Sequence, residues 1–449
     1  MTSLNATYES RLARLGLRIP ELLFPSPGVD LSRWAVVACD QYTSDRGYWA
    51  DVEAVVGEAP STLRLILPEV YLRDSDVGAR VQRIHASMRD YLDQGVLRRL
   101  GESLVYVRRM TAHSGLREGL VIAFDLERFD YGSGSTSLIR STEGTIVERI
   151  PPRLAVRRAA PLELPHIMVL LDDPEQQVIE GWSDCRSELE PLYEVELMQK
   201  GGHLEGFLLR SQSHVDRLLT QLEALFERTL GRQNTDQPLF WAMGDGNHSL
   251  ATAKARWNEV KQELATSGEP EARIMTHPER WALCEIVNLH SPGLRFEPIH
   301  RAVFTARPAE LARALRADPD VTEVQPIAEA ELRALLAGPD GQNKAGFFDG
   351  RELLAIEYRT GVGLPPALVD RLFDQFRTVD GSATIDFIHG WDETKQLIAG
   401  GAVGLFLPVL ARDRLFTYVA ENGPLPKKSF SMGESREKRY YMEARKIVR

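Results

Sequence analysis

Cysteine is scarce. Three cysteines stand in 449 residues, Cys39, Cys185 and Cys284, too few and too scattered for a disulfide framework or a thiolate zinc site. Positive charge is in deficit as well: Lys and Arg number 54 against 64 Asp and Glu, a formal net charge of -10. A nucleic-acid backbone demands a basic footprint that such a balance does not offer, so no nucleic-acid partner is expected. Nowhere do about 18 apolar residues run together as a membrane span requires, and MTSLNATYESRLARLGL lacks the apolar core of a signal peptide. The expectation is a cytoplasmic protein with no membrane partner. No G-x-x-x-x-G-K-[ST] loop and no Rossmann glycine fingerprint after a strand occur either.

What is present is an ordinary globular mixture, 43% hydrophobic and 26% charged, long enough for about two to four structural units. RWAVVACDQYT reads as a buried strand, Ala35 to Cys39, ending in a polar turn, and STLRLILPEVYL as a second extended run closed by Pro68. Helical spacing follows between Asp76 and Arg99, then ESLVYVRRM and LREGLVIAFDL pair as strands of a hairpin or meander. Ile167 to Leu171 is a strongly apolar strand, residues 212 to 231 an amphipathic helix, and PLFWAM a strand that runs into the stretch GDGNHSLATAKARW. Between 303 and 360 two helical segments interleave with extended ones, which predicts a small α/β insert. The reading is a mixed α/β chain in three parts: a main domain 1–302, the insert 303–360, and a segment 361–449 that returns to the main domain.

The chemistry concentrates at the strand-to-helix turn. Gly244 and Gly246 let a backbone approach a phosphate closely, Asn247, His248 and Ser249 add donors, and the first turn of a helix offers N–H groups of its own. Asp245 is the odd member, since a carboxylate repels phosphate; a magnesium ligand or a general base is the role such a residue fills there. Read alone, the same residues also make a plain Asp-Gly turn with a capped helix.

A basic track, Arg140, Thr142, Glu143, Thr145, Arg149 and Arg153, stiffened by Pro151 and Pro152, could hold an anionic substrate or nucleotide phosphates. As a bare charge run it is equally a solvated face. Asp40 and Gln41 leave a strand end, where substrate-binding residues often sit; Cys39 beside them reads as a small hydrophobe rather than a nucleophile. Lys428, in GPLPKKSF, is a further phosphate candidate. His290 and His300 lack an acidic partner at metal-ligand spacing, which argues against zinc.

Taken together, ACDQYT, STLRLILPE, TEGTIVERIPPR, GDGNHSLATAK, PIHR (Pro298 to Arg301) and LPKKSF resemble the bacterial and archaeal family known as domain of unknown function 1015, through almost the whole chain. That family's D-G-H-H-R turn-helix is similar to the D-G-H-T-R element of free serine kinases, which belong with sulfiredoxins and the ParB nucleotide-binding fold. The resemblance implies a ParB/sulfiredoxin-like core whose loop holds nucleotide phosphates. Asp245, Gly246 and His248 match the motif, while Asn247 replaces its first histidine and Ser249 its arginine, so positive charge has to come from elsewhere.

The expectation is a kinase using ATP or ADP with magnesium to phosphorylate a small hydroxylated metabolite such as serine. Asp245, Glu143 and His248 would be catalytic. Gly244, Gly246, Asn247, Ser249, Arg149, Arg153 and Lys428 would bind the nucleotide, and Asp40, Gln41, Arg140 and Thr142 the substrate. Two other readings stay open: a nucleotide-responsive binding or regulatory protein, and a hydrolase or ligase acting on an acidic metabolite. A homodimer is compatible with all three.

Overall fold

In LVYVRRMT and GLREGLVIAFD alternate side chains fall on opposite faces, the period a strand buried on both sides needs. In the computed structural model, which describes residues 3–132, 134–145 and 150–449, these become β1 (Leu104–Thr111) and β2 (Gly115–Asp125). Leu120, Ile122 and Phe124 of β2 enter one hydrophobic core and Val121 the other. Around this hairpin grows a ten-stranded mixed sheet. Its further members are β3 (Ile139–Ser141), β4 (Met168–Leu171), β5 (Glu190–Leu197), β6 (Gly202–Leu209), β7 (Trp241–Asp245) and β8 (Trp281–Asn288). The order runs β5-β6-β1-β2-β8-β4-β7-β3 and ends on the short strand Phe129–Asp130. Strand β7 lies parallel to β3, with Trp241 opposite Ile139, and antiparallel to β4, with Ala242 opposite Leu170.

The helices of this unit include α1 (Val77–Asp93), α2 (Ile150–Arg157), α3 (Gln212–Gln233) and α4 (Asn247–Thr266). Leu218, Leu222 and Phe226 of α3 and Leu250 and Trp257 of α4 pack on the face that carries Trp241 and Met243. On the opposite face Trp34, Trp49, Ile84, Met88 and Tyr441 surround Val105, Val121 and Leu283. Among the described residues, no helix is long and apolar enough to cross a membrane.

The chain divides into two compact units, residues 1–294 with 434–449, and residues 295–433. The second is therefore larger than the 303–360 insert expected from the pattern. Its sheet needs β9 (Phe296–Phe304) and a later strand, Val403–Phe406, to complete the row begun by Val321–Pro326, Leu353–Tyr358 and Lys344–Phe348. Helix Pro365–Phe376 covers one face of that sheet through Leu368, Val369, Leu372 and Phe376. Residues 361–433 thus belong with the insert, and only 434–449 return to the first unit.

Two extended runs read from the sequence fold otherwise. Ala35 to Cys39 makes only an isolated bridge, Val37 with Tyr440, because its backbone is shared with the incoming segment: Ala38 N–H donates to Arg439 O, and Tyr441 N–H to Val36 O. STLRLILPEVYL winds into two 3-10 turns, Thr62–Leu65 and Glu69–Tyr71, the first capped by the Ser61 hydroxyl and the second begun by Pro68. An apolar run without a period does not distinguish these outcomes from a strand.

The second unit carries a pH dependence of its own. The His300 ring is buried, accepts a hydrogen bond from Leu407 N–H at 3.1 Å, and burial, reinforced by the Arg301 charge, holds its pKa down at about 3. The folded ring stays neutral while the unfolded one protonates below about 6.5, so stability is lost as pH falls from that value towards 3, by up to about 1.4 kcal/mol per pH unit. Urea unfolding at pH 7 and pH 5 is expected to reveal a loss of ~2 kcal/mol that His300→Asn lacks. An identical pH response in the variant would remove His300 as its source.

Candidate functional site

At the end of β7 the register slips between Met243 and Asp245, inserting Gly244 as a bulge that re-aims the strand end. Gly246 follows with φ 82°, a left-handed conformation that glycine adopts without penalty, and its Cα lies so close to β4 that a Cβ would stand 3.1 Å from Ile167 Cα. Helix α4 begins there with no side chain capping it. Ser249 N–H closes on the Gly246 carbonyl at 2.9 Å, and Asn247 Oδ1 is buried without a hydrogen-bond partner among the described residues. An uncapped helix start with a close-approach glycine is the local geometry that suits an anion.

Asp245 Oδ1 accepts from Gly246 N–H at 3.1 Å, and its Oδ2 lies 3.3 Å from the Lys438 ammonium. Lys438 is only 7% exposed and comes from the segment 434–449. This pairing gives no support to the magnesium role expected of Asp245. Among the described residues, the group of three His, Cys or carboxylate side chains close enough to share a metal ion is Glu194, His203 and Glu205, on β5 and β6. Asp245 is not in it and faces a lysine instead.

Ser249 is tied to the rest of the site through His166, whose Nε2 lies 2.8 Å from Ser249 Oγ. His166 Nδ1 is 2.9 Å from the Tyr441 hydroxyl, which accepts from Cys39 N–H at 3.1 Å. Asp40 Oδ2 stands 3.9 Å from His166 Nε2, and Gln41 Nε2 donates to Asp40 Oδ1 at 3.0 Å. Asp40 and Gln41 are therefore brought to the same neighbourhood as the α4 start. Cys39 is no nucleophile: burial, with the Asp40 and Glu69 charges beside it, pushes its thiol up to about 12.

The basic track does not act as one surface. Pro151 and Pro152 sit in the first turn of α2, where a missing N–H costs nothing, and Arg153 on that helix pairs with Glu69. Arg140 is buried on β3 and donates to the carbonyls of Ser137 and Gln237, so it clamps a loop instead of reaching a substrate. Thr142 is likewise buried, its hydroxyl donating to Met243 O, which makes it a splint between β3 and β7. Glu143 is half-buried in the loop after β3, and Arg149 lies outside the described residues. His248 is half-buried in the first turn of α4, its carbonyl accepting from Thr252. Lys428 belongs to the second unit, where its carbonyl accepts from Arg301 at 3.1 Å.

Beside Ser249 opens a cavity of about 140 Å³, reached by Thr252, His166, Tyr441, Glu69, Arg153, Arg157 and Glu163 and otherwise lined by aliphatic side chains. Burial alone would push the Glu163 carboxyl up, but the guanidinium groups of Arg445 and Arg157 more than offset this and hold it below the usual range. Lys438, Tyr441, His166 and Glu69 were not singled out from the sequence. Glu69 closed the recognised stretch STLRLILPE, and His166 stood directly before the strand read from Ile167 to Leu171.

The fold and this corner define a mixed α/β protein with an anion-competent strand-to-helix turn completed by a distant lysine. The chain belongs to the family described as protein of unknown function, DUF1015, whose profile matches residues 23–376. No curated protein matches the chain. Among solved structures it is similar to a free serine kinase in complex with AMP, at 9% identity and a TM-score of 0.38, covering 73% of this chain and 92% of that one. A conserved hypothetical protein from Pyrococcus furiosus gives 10% identity and a TM-score of 0.35 over 73% and 95% of the two chains. SbnI from Staphylococcus aureus gives 11% and 0.34 over 70% and 83%.

Proposed function

We propose that the start of α4 binds the phosphates of a nucleotide, ATP or ADP, and that the protein transfers a phosphoryl group to a small hydroxylated metabolite. The observation that carries this reading is the uncapped helix on a left-handed glycine with the Lys438 ammonium beside it. Phosphoryl transfer needs placed positive charge and orientation more than covalent chemistry from the protein, and lysine serves as a point charge for phosphate. Asn247 supplies a side-chain donor to phosphate, and His248 is the second donor.

A phosphate entering the corner competes with Asp245 for Lys438. The carboxylate so released is the group placed to take the proton of the acceptor hydroxyl, with Glu143 as the alternative base.

The test is calorimetric titration of the full chain with ATP and with ADP, followed by a turnover assay against pooled hydroxylated metabolites. Binding of either nucleotide with turnover supports the reading, and Asp245→Asn is expected to lower turnover by at least about a hundredfold in protein that remains folded by far-UV dichroism. Absence of binding by both nucleotides overturns it. Binding without turnover leaves a nucleotide-responsive binding protein.

A further inference from the structure

The cavity beside Ser249 has a composition of its own. Leu65, Leu67, Met88, Val156 and Leu162 make aliphatic walls. The charged groups that reach it arrive as opposed pairs, Glu69 with Arg153 and Glu163 with Arg157, so the wall carries no unbalanced charge. An ion entering it would shed its hydration and find every opposite charge already engaged.

The hydrogen-bond partners favour one proton arrangement at Ser249. Cys39 N–H can only donate, so it donates to the Tyr441 oxygen. The phenol proton then goes to His166 Nδ1, a far better acceptor than a thiol sulfur, and burial keeps that phenol un-ionised. A ring accepting at Nδ1 carries its proton on Nε2, which donates to Ser249 Oγ. The Ser249 proton remains, on a hydroxyl that lines the cavity.

We propose that this cavity binds a small uncharged aliphatic alcohol whose oxygen accepts the Ser249 proton, with His166 as the positioning residue that locks Ser249 as a donor. About six to eight heavy atoms fit, by comparison with a ~150 Å³ apolar cavity that holds benzene. That this alcohol is the phosphoryl acceptor rests on the function proposed above; its binding does not.

The test is ligand-observed saturation-transfer NMR on the full chain with three probes of one shape, isoamyl alcohol, isovalerate and isoamylammonium, with ADP titrated calorimetrically into the same samples. The alcohol is expected to bind, and both charged probes roughly tenfold or more weakly. Ser249→Ala is expected to weaken the alcohol roughly threefold to tenfold, as loss of one neutral hydrogen bond does, and His166→Phe to do the same without further loss in the double variant.

Ala160→Phe and Leu72→Trp, each adding bulk at the cavity lining, are expected to abolish alcohol binding and spare ADP; Leu72 is half-buried, so its variant decides the matter should Ala160→Phe not fold. No transfer to the alcohol, tighter binding of either ion, or alcohol binding retained in Leu72→Trp overturns the site. An unchanged Ser249→Ala affinity overturns the donor assignment. In the unsubstituted chain, absence of alcohol binding with ADP binding present refutes this inference alone, and the converse refutes only the nucleotide reading.

Discussion

Replacing Lys438 by methionine is expected to abolish phosphate binding at the start of α4 while leaving the fold in place. The ammonium is nearly buried and sits 3.3 Å from Asp245 Oδ2. Its removal takes away the placed positive charge and exposes an uncompensated carboxylate that repels the ligand. Truncating one partner of a buried charge pair costs about 2–5 kcal/mol of binding, which corresponds to roughly thirtyfold to several-thousandfold in affinity.

Asp245 is 22% exposed in its side chain and keeps some hydration, so the unfolding midpoint moves little. The pair Lys438→Met with Asp245→Asn removes both the attraction and the repulsion and is expected to recover part of the loss. Calorimetry with ADP and with pyrophosphate measures all three proteins, and an unaltered affinity in Lys438→Met removes the residue from the site.

The second large effect is on stability. Arg439 is 3% exposed and holds two carboxylates as deeply buried, Glu285 at 3.1 Å and Glu443 at 2.6 Å; Glu443 also accepts from Tyr193. Arg439→Met leaves both carboxylates without their cation, a change worth about 3–5 kcal/mol against a typical total stability of about 5–15 kcal/mol. The first unit is expected to unfold at markedly lower urea, with near-UV dichroism lost together with the far-UV signal. Replacing all three with apolar residues of similar volume is expected to restore most of the midpoint, since a buried ion network is seldom better than well-packed hydrocarbon. A midpoint unchanged in Arg439→Met would show that water reaches the carboxylates.

The strand-to-helix turn was legible because its signals are local. An apolar run, two glycines and an amphipathic helix fix β7 and α4 without reference to the rest of the chain, and the hairpin of β1 and β2 follows from two apolar runs close in sequence. What turned out otherwise depends on partners far away in sequence. REKRYYMEARKIVR has the composition of a solvated tail, yet Lys438, Arg439 and Arg445 are buried because Asp245, Glu285 and Glu163 wait for them. Composition reports charge and is blind to pairing.

Arg140 failed as a ligand-binding residue for the same reason in reverse: it looked available until the carbonyls of Ser137 and Gln237 were seen to occupy it. On the proposed function, the arginine that the motif has where this chain has Ser249 is answered by a lysine nearly two hundred positions later, which no reading of the turn itself could locate.

The chain leaves the first unit at 294 and re-enters it at 434, and the returning piece brings Lys438 to the corner and Tyr441 to the cavity. Strand Ala444–Lys446 then completes a small sheet between Glu21–Pro25 and Leu162–Glu163. Contacts that close so long a loop form late, since the chain entropy must be lost before they return anything, although the loop's length itself adds little to the equilibrium cost. On the function proposed above, binding competence is therefore acquired last. A chain stalled while making or folding residues 295–433 would possess nearly all of the first unit and still lack its lysine, so it could not engage ligand prematurely.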